Sequence, residues 1–196
     1  MARLIHFSHD DLLDAAAAAV LVHWRSATVR HVQEISGAPS GSIYHRFPSR
    51  DALFGALWER SIRRFHAGLF EALKDPDPHQ ALLAATAHVP RFCREHPSDA
   101  KAMTLYRLPD LVNLVPETHR EELRSINDLA NHELASVTQA RYQTDSERHY
   151  QLALVATRQC PYGMIRPMIG QDIPLDMDDM CLAAAEGILA LGDKHS

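Results

Sequence analysis

Apolar residues recur along this chain at helical spacing, and no alternating run of useful length marks a strand. Leu12, Leu13, Ala16, Val20 and Trp24 predict a first helix starting at Ser8 or His9, with Asp10 and Asp11 in the turn where the helix dipole favours them. A break falls at Arg25-Ser26-Ala27. Thr28 is a good N-cap for a second helix that buries Val29, Val32 and Ile35. Gly37 ends that helix, because it takes positive φ without a Cβ clash. Pro39 suits the first turn of a third helix, and Pro48 must stop that helix early, since it biases Phe47 out of the helical region. The third helix is therefore short. Ile43 and Phe47 point inward, and the small polar residues Ser40, Gly41 and Ser42 precede Tyr44, His45 and Arg46. A short polar helix held up by its neighbours is a surface offered to a partner.

Ser49 caps a fourth, long helix to about Leu73, with Leu53, Leu57, Ile62, Phe65, Leu69 and Leu73 as its seam, and Pro76 and Pro78 stop it. A fifth helix runs from about His79 to Glu95 with Pro90 as a kink, and a short one from Asp99 to Arg107. Pro109 and Pro116 bracket a loop with an apolar middle, Leu111 to Leu114. A longer helix is predicted from Glu117 to Tyr142, with Leu123, Ile126, Ala130, Leu134 and Val137 as its stripe. The last two helices span about Ser146 to Ile169, interrupted by Pro161, Gly163 and Pro167, and about Asp176 to Leu191. Both carry small residues (Ala153, Ala156, Ala183, Ala185, Gly187) that permit close approach, either as internal core or as a two-fold seam between copies.

Composition narrows the class. A chain of 196 residues with 46% hydrophobic positions can bury a real core in one or two domains. No apolar run approaches the roughly 20 residues that span a bilayer, so no membrane association is expected. Three cysteines far apart, Cys93, Cys160 and Cys181, argue against a disulfide framework and for the cytoplasm. The net charge of −5 is unevenly spread: residues 1–66 carry +2 and six of the 13 histidines, and the rest carry −7. Between Trp24 and Arg50 four arginines face one glutamate, a local excess that can position a phosphate backbone while the acidic remainder resists non-specific binding.

The stretch from Thr28 to Phe54, TVRHVQEISGAPSGSIYHRFPSRDALF, resembles the first domain of the TetR family of bacterial transcriptional regulators. The match lies at Gly37, Gly41, Ser42, Tyr44, Phe47, Ser49, Asp51 and Leu53. Three places depart from the family pattern. Gln33 and Ser36 stand where small alanines are usual, Ala38 replaces a valine, and the turn VHWRSA lacks a glycine, with Trp24 available to fill that space.

The resemblance implies an all-α protein. A three-helix helix-turn-helix domain over 1–48 would bind DNA, and a helical domain over 49–196 would bind ligand and dimerise. It implies a homodimeric repressor on a palindromic operator in double-stranded DNA, released when a small-molecule effector shifts helix four, with the last two helices as the dimer seam. Ser40, Gly41 and Ser42 would approach base edges after Pro39. Tyr44, His45, Thr28 and Arg50 would hold phosphates, with Arg30 and Arg46 as further candidates and Arg3 on a loose N-terminal arm. The effector would meet Trp58, Ile62, Phe65, Phe92, Met103, Tyr106, Tyr162 and Met164, with Arg158, Arg107 and His88 as polar anchors.

No cofactor is expected, and no P-loop, dinucleotide fingerprint, nucleophile elbow or HExxH run is present. His88, Cys93 and His96 cluster within nine residues, but their spacings do not share one helix face and a structural zinc site wants four ligands. Two other readings remain at this point: an all-α metal-dependent enzyme using the histidines, which bound metal would reveal, and a helical protein-interaction module, which salt-insensitive binding would reveal.

Overall fold

A computed structural model of the chain describes residues 7–194. Arg3 and its arm lie outside the described residues. Among those described, the regular elements are all helical: α1 His9–His23, α2 Val29–Ser36, α3 Ser40–Arg46, α4 Arg50–Ala72, α5 Pro78–Glu95, α6 Pro97–Ala102, α7 Leu108–Leu114, α8 Glu117–Arg124, α9 Asp128–Tyr142, α10 Glu147–Leu154, α11 Cys160–Ile165 and α12 Asp176–Asp193. None is long and apolar enough to cross a membrane. By packing the chain forms two compact units, one of residues up to Ile62 together with Ser98–Arg124, the other of Arg63–Pro97 together with residues from Ser125 onward. Helix α4 contributes to both, and the helix-turn-helix segment lies wholly within the first.

The first unit is built around α1. A capping box starts this helix: Asp11 N–H donates to Ser8 Oγ at 3.0 Å, and Ser8 N–H to Asp11 Oδ2 at 2.8 Å. The alanine run of α1 is core, since Ala15, Ala16, Ala17 and Ala19 are all buried beside Leu12, Leu13 and Val20. Small side chains here let Val29, Val32, Ile43, Phe47, Leu53, Phe54 and Leu57 join one apolar cluster. Helix α1 ends at Trp24, whose φ of 47° is a conformation that favours glycine. Its indole Nε1 donates to Thr104 Oγ1 at 2.9 Å, and the Arg25 guanidinium lies 4.8 Å over the ring.

The segment after α6 is fastened to this unit by side chains. Lys101 Nζ donates to the Leu21 carbonyl at 2.8 Å, Trp58 Nε1 to the Met103 carbonyl at 3.0 Å, and Tyr106 Oη to Asp51 Oδ1 at 2.9 Å. Buried Asp99 accepts from Ser61 Oγ at 2.7 Å. The helix predicted over 99–107 accordingly stops at Ala102. The expected loop between Pro109 and Pro116 is mostly α7, started by Pro109 in its first turn and burying Leu111 and Val112. The expected helix from Glu117 to Tyr142 is divided by a 3₁₀ turn at Ser125–Asn127, which ends α8 at Arg124 and lets α9 start at Asp128. Ile35, expected inside, is 49% exposed, because α2 ends one residue later and Ala38 beyond the turn is buried instead.

The second unit joins the C-terminal half of α4 to α5, α9, α10 and α12 through Leu69, Leu73, Leu82, Ala85, Ala130, Leu134, Ala153, Ala185 and Leu189. Between α10 and α11 the helix widens into a π turn at Val155–Gln159, with Cys160 N–H donating to the Val155 carbonyl. Pro161 explains the fault: it has no N–H to donate back to Thr157. The Ala156 carbonyl, left without its usual partner, accepts from Thr86 Oγ1 of α5 at 3.3 Å. Polar side chains brace the same unit, with Arg141 on Asp193 at 2.9 and 3.0 Å and Arg94 on Asp178 at 2.7 Å.

Helices α4 and α5 approach closely at Gly68, where an added Cβ would sit 2.3 Å from the His88 ring. That ring is held by Nε2–H donating to the Phe65 carbonyl at 2.9 Å and by Phe65 and Phe92 at ring distances of 4.7 and 5.7 Å. Gly68→Ala is expected to destabilise the protein by about 1–3 kcal/mol, through overpacking against an imidazole with little room to yield. A urea-unfolding midpoint equal to wild type would show that the helices separate freely here.

Candidate nucleic-acid interface

The candidate interface is built by local signals that the sequence carries. Thr28 starts α2 in an extended conformation, its Oγ1 accepting from His31 N–H and its own N–H donating to His31 Nδ1, both at 3.3 Å. The His31 ring stacks on His23 of α1 at 3.8 Å, tying the start of α2 to the end of α1. Gly37 closes α2 at φ 72°, with its N–H on the Gln33 carbonyl at 2.8 Å. Pro39 enters α3 extended, and its carbonyl accepts from Ser42 and Ile43. Ser49 Oγ accepts from Ala52 N–H at 3.0 Å, capping α4.

This frame divides the short helix α3 into two faces. Ile43 is fully buried and Phe47 is 4% exposed, with His9 packed on the Phe47 ring at 4.7 Å. Ser40, Gly41, Tyr44 and His45 are exposed, Tyr44 by 51%. Thr28 and Pro39 are exposed at the starts of α2 and α3, and Ser42 is half-buried. Arg46 reaches back one turn to the Ser42 carbonyl and hydroxyl at 3.1 and 3.0 Å, clamping the end of the helix. The i, i+4 spacing of Ser42 and Arg46 was the sequence signal for this contact.

Arg30 and Arg50, like Arg46, have partners within the protein. Arg30 pairs with Glu34 at 2.9 Å on the surface of α2. Arg50 donates to the Ala27 carbonyl at 2.9 Å, the Arg25 carbonyl at 2.8 Å and Asp51 Oδ1 at 3.1 Å, and lies 4.9 Å from the Phe54 ring centre. It therefore locks the loop before α2 onto the start of α4. Partners 23 and 25 residues away leave no spacing signal, so sequence reasoning missed this work.

The residues put forward for a ligand fall into both units. Trp58, Met103 and Tyr106 belong to the first with Ile62, and Trp58 and Tyr106 are held by the bonds to Met103 and Asp51 described above. Phe65, Phe92, Arg158, Tyr162 and Met164 belong to the second. Phe65 and Phe92 meet edge to face at 5.2 Å, and Phe92 borders an open cleft of about 500 Å³ between α4 and α5 with Arg64, His88, Arg91 and His96. Arg107 lines a separate cleft of the first unit with Arg25 and Arg50. Tyr162 is exposed.

On α12, Met180, Ala183, Gly187, Ala190 and Leu191 share one exposed face. Among the described residues no three His, Cys, Asp or Glu groups gather as metal ligands. Burial pushes the Cys93 thiol up to about 12, and His88 is bonded to Phe65.

No family model and no curated protein matches the sequence. Solved structures do. A transcriptional regulator from Rhodococcus sp. Rha1 superposes with a TM-score of 0.69 at 17% identity, over 95% of this chain and 96% of that one. The TetR family regulator PfmR from Thermus thermophilus does so with 0.69 at 18%, over 94% and 97%. The fold is that of TetR-family transcriptional regulators. A TetR-like regulator from Rhodococcus sp. RHA1 agrees, with a TM-score of 0.65 at 17% identity over 96% and 99% of the two chains. The shared path covers the TetR-like head and the helices after it alike.

Buried His66 of the second unit sets a pH dependence. Burial first and the Arg158 charge second push it down to about 4, over an opposing hydrogen bond with Asn127 and with Arg63 adding to the push. Because the unfolded chain binds this proton at the ordinary value of 6.5, stability rises with pH through the window and is lost as pH falls from 6.5 towards 4. In His66→Gln, the drop in unfolding free energy between pH 7 and pH 4.5 should shrink by on the order of 2 kcal/mol. Equal drops in the two proteins would place the acid sensitivity elsewhere.

Proposed function

We propose that the chain is a DNA-binding transcriptional regulator that acts as a homodimer, a repressor released from its operator by a small molecule. The observation that carries this reading is the division of α3, with Ile43 and Phe47 sunk in the core and Ser40, Gly41, Tyr44 and His45 presented outward. A helix-turn-helix lays such a helix in the major groove, with its first residues at base edges. The small side chains at Ser40 to Ser42 permit close approach, and Tyr44, His45 and Thr28 reach phosphates. Arg50, already engaged with the backbone, supports the pose.

The exposed face of α12 supports pairing of two copies through α12 and the helical stretch before it from α10 to α11, since small residues flanked by Met180 and Leu191 suit close helix contact. Two heads on one palindrome would occupy successive major grooves, roughly 34–36 Å apart. Helix α4 runs continuously from the capped start at Ser49 into the second unit, so a ligand there that prefers one position of α4 biases the heads.

Selection of bound duplexes from a random pool tests this directly. The expected product is a palindrome, and absence of enrichment at low salt would overturn the reading. On the selected duplex, Tyr44→Ala should weaken binding about fivefold on matched and mismatched sequences alike, the loss of one phosphate hydrogen bond. Unchanged affinity with unchanged melting temperature would remove Tyr44 from the interface.

A further inference from the structure

The second unit neutralises its inward-turned arginines with carboxylates, with one exception. Arg141 grips Asp193 through both Nη atoms and Arg94 grips Asp178. Arg158 has no such partner among the described residues: its Nη1 donates to the neutral Asn131 Oδ1 at 3.0 Å, and the other groups around it are Tyr150, His66 and, through His66, Asn127. His66 is buried and uncharged near neutral pH, so it supplies no counter-charge. A half-buried guanidinium left with neutral neighbours is costly, and an anionic ligand would offset that cost.

The local backbone is also unusual. Arg158 sits in the π turn, a widening that re-aims side chains and is frequent at functional sites. Arg158, Asn131, Asn127 and Tyr150 are only half-buried, so the free edge of the guanidinium can be reached. Phe70 lies 5.9 Å and Phe65 6.3 Å from the His66 ring, and Val137 and Leu154 pack in the same cluster. The surroundings thus combine a positive charge without a carboxylate partner, amide and ring groups able to add hydrogen bonds, and the phenyl rings that flank His66.

We propose that Arg158, with Asn131 and His66 beside it, receives the carboxylate of an apolar organic monoacid. A planar carboxylate matches the guanidinium fork with two parallel bonds, and a single negative charge balances the single cation. In the ligand-responsive regulator proposed above, on which this assignment of a role rests, such an acid is the effector.

Thermal unfolding of the full chain with benzoate, phenylacetate or hexanoate, each against its uncharged amide, tests the site without DNA. At least one acid is expected to raise the melting temperature by about 4 °C or more at a hundredfold excess over its Kd, and its amide to leave it unchanged. Arg158→Met should abolish the shift, and without ligand should melt at or above the wild-type temperature, since it removes an uncompensated charge. No shift with any acid, equal shifts with acid and amide, or a shift retained in Arg158→Met would overturn the proposal. So would an Arg158→Met protein that melts several degrees lower without ligand, which marks a structural arginine. Displacement of the selected duplex by the same acid separates the two claims: binding without release leaves the carboxylate site standing and removes its role as effector.

Discussion

A helix of seven residues cannot hold itself together in water, and the head of this protein is organised by that constraint. Helix α3 has too few internal hydrogen bonds to offset the ordering of its backbone. Its stability must come from burying Ile43 and Phe47 and from fixed entry and exit. The alanines of α1 make room for those two side chains, Gly37 and Pro39 set the approach, and Arg46 closes the last turn. Ser49 then restarts the chain as α4. The exposed residues of α3 are free to meet a partner because none of them is needed to keep the helix folded.

The same logic extends to parts of the first unit far along the chain. Trp58, Lys101, Thr104 and Tyr106 fasten the segment after α6 to α1 and α4 with bonds to Met103, Leu21, Trp24 and Asp51. Hydrogen bonds of this kind add modestly one at a time, but several acting on a few consecutive residues fix a segment that has little regular structure of its own. The head is thus supported by residues that a boundary drawn at the end of α3 would leave out.

What was legible in the sequence is what local chemistry decides. Gly37, Pro39, Pro48 and Ser49 each restrict their own backbone, so the turn, the length of α3 and the start of α4 could be read directly, and the pattern from Thr28 to Phe54 pointed to the fold that the solved structures share. Ile35 was misplaced because period alone does not say where a short helix leaves the core. The loop expected around Leu111 and the unbroken helix expected to Tyr142 failed for a related reason, since Pro109 starts a helix as readily as it breaks one and Ser125 to Asn127 bend without proline or glycine. The bracing work of Arg50 could not be read, because the backbone carbonyls that accept from it carry no side-chain signature. Aromatic and sulfur-bearing positions at helical spacing serve core and pocket alike, and the structure distributes the residues expected to meet an effector over both units.

The π turn has a consequence for how this chain can vary. Each residue of an α-helix advances the side chains by about 100°, so a segment holding one residue more than the helix requires turns everything beyond it by that angle. The turn is therefore an insertion absorbed without a loop, and it decides which side chain of the helix occupies the place now held by Arg158. Removing one residue between Val155 and Gln159 would leave the composition of the helix nearly intact and change the side chain presented beside Asn131. A constant fold can thus change the side chain it presents at one place by a single-residue change in length, with no substitution around it.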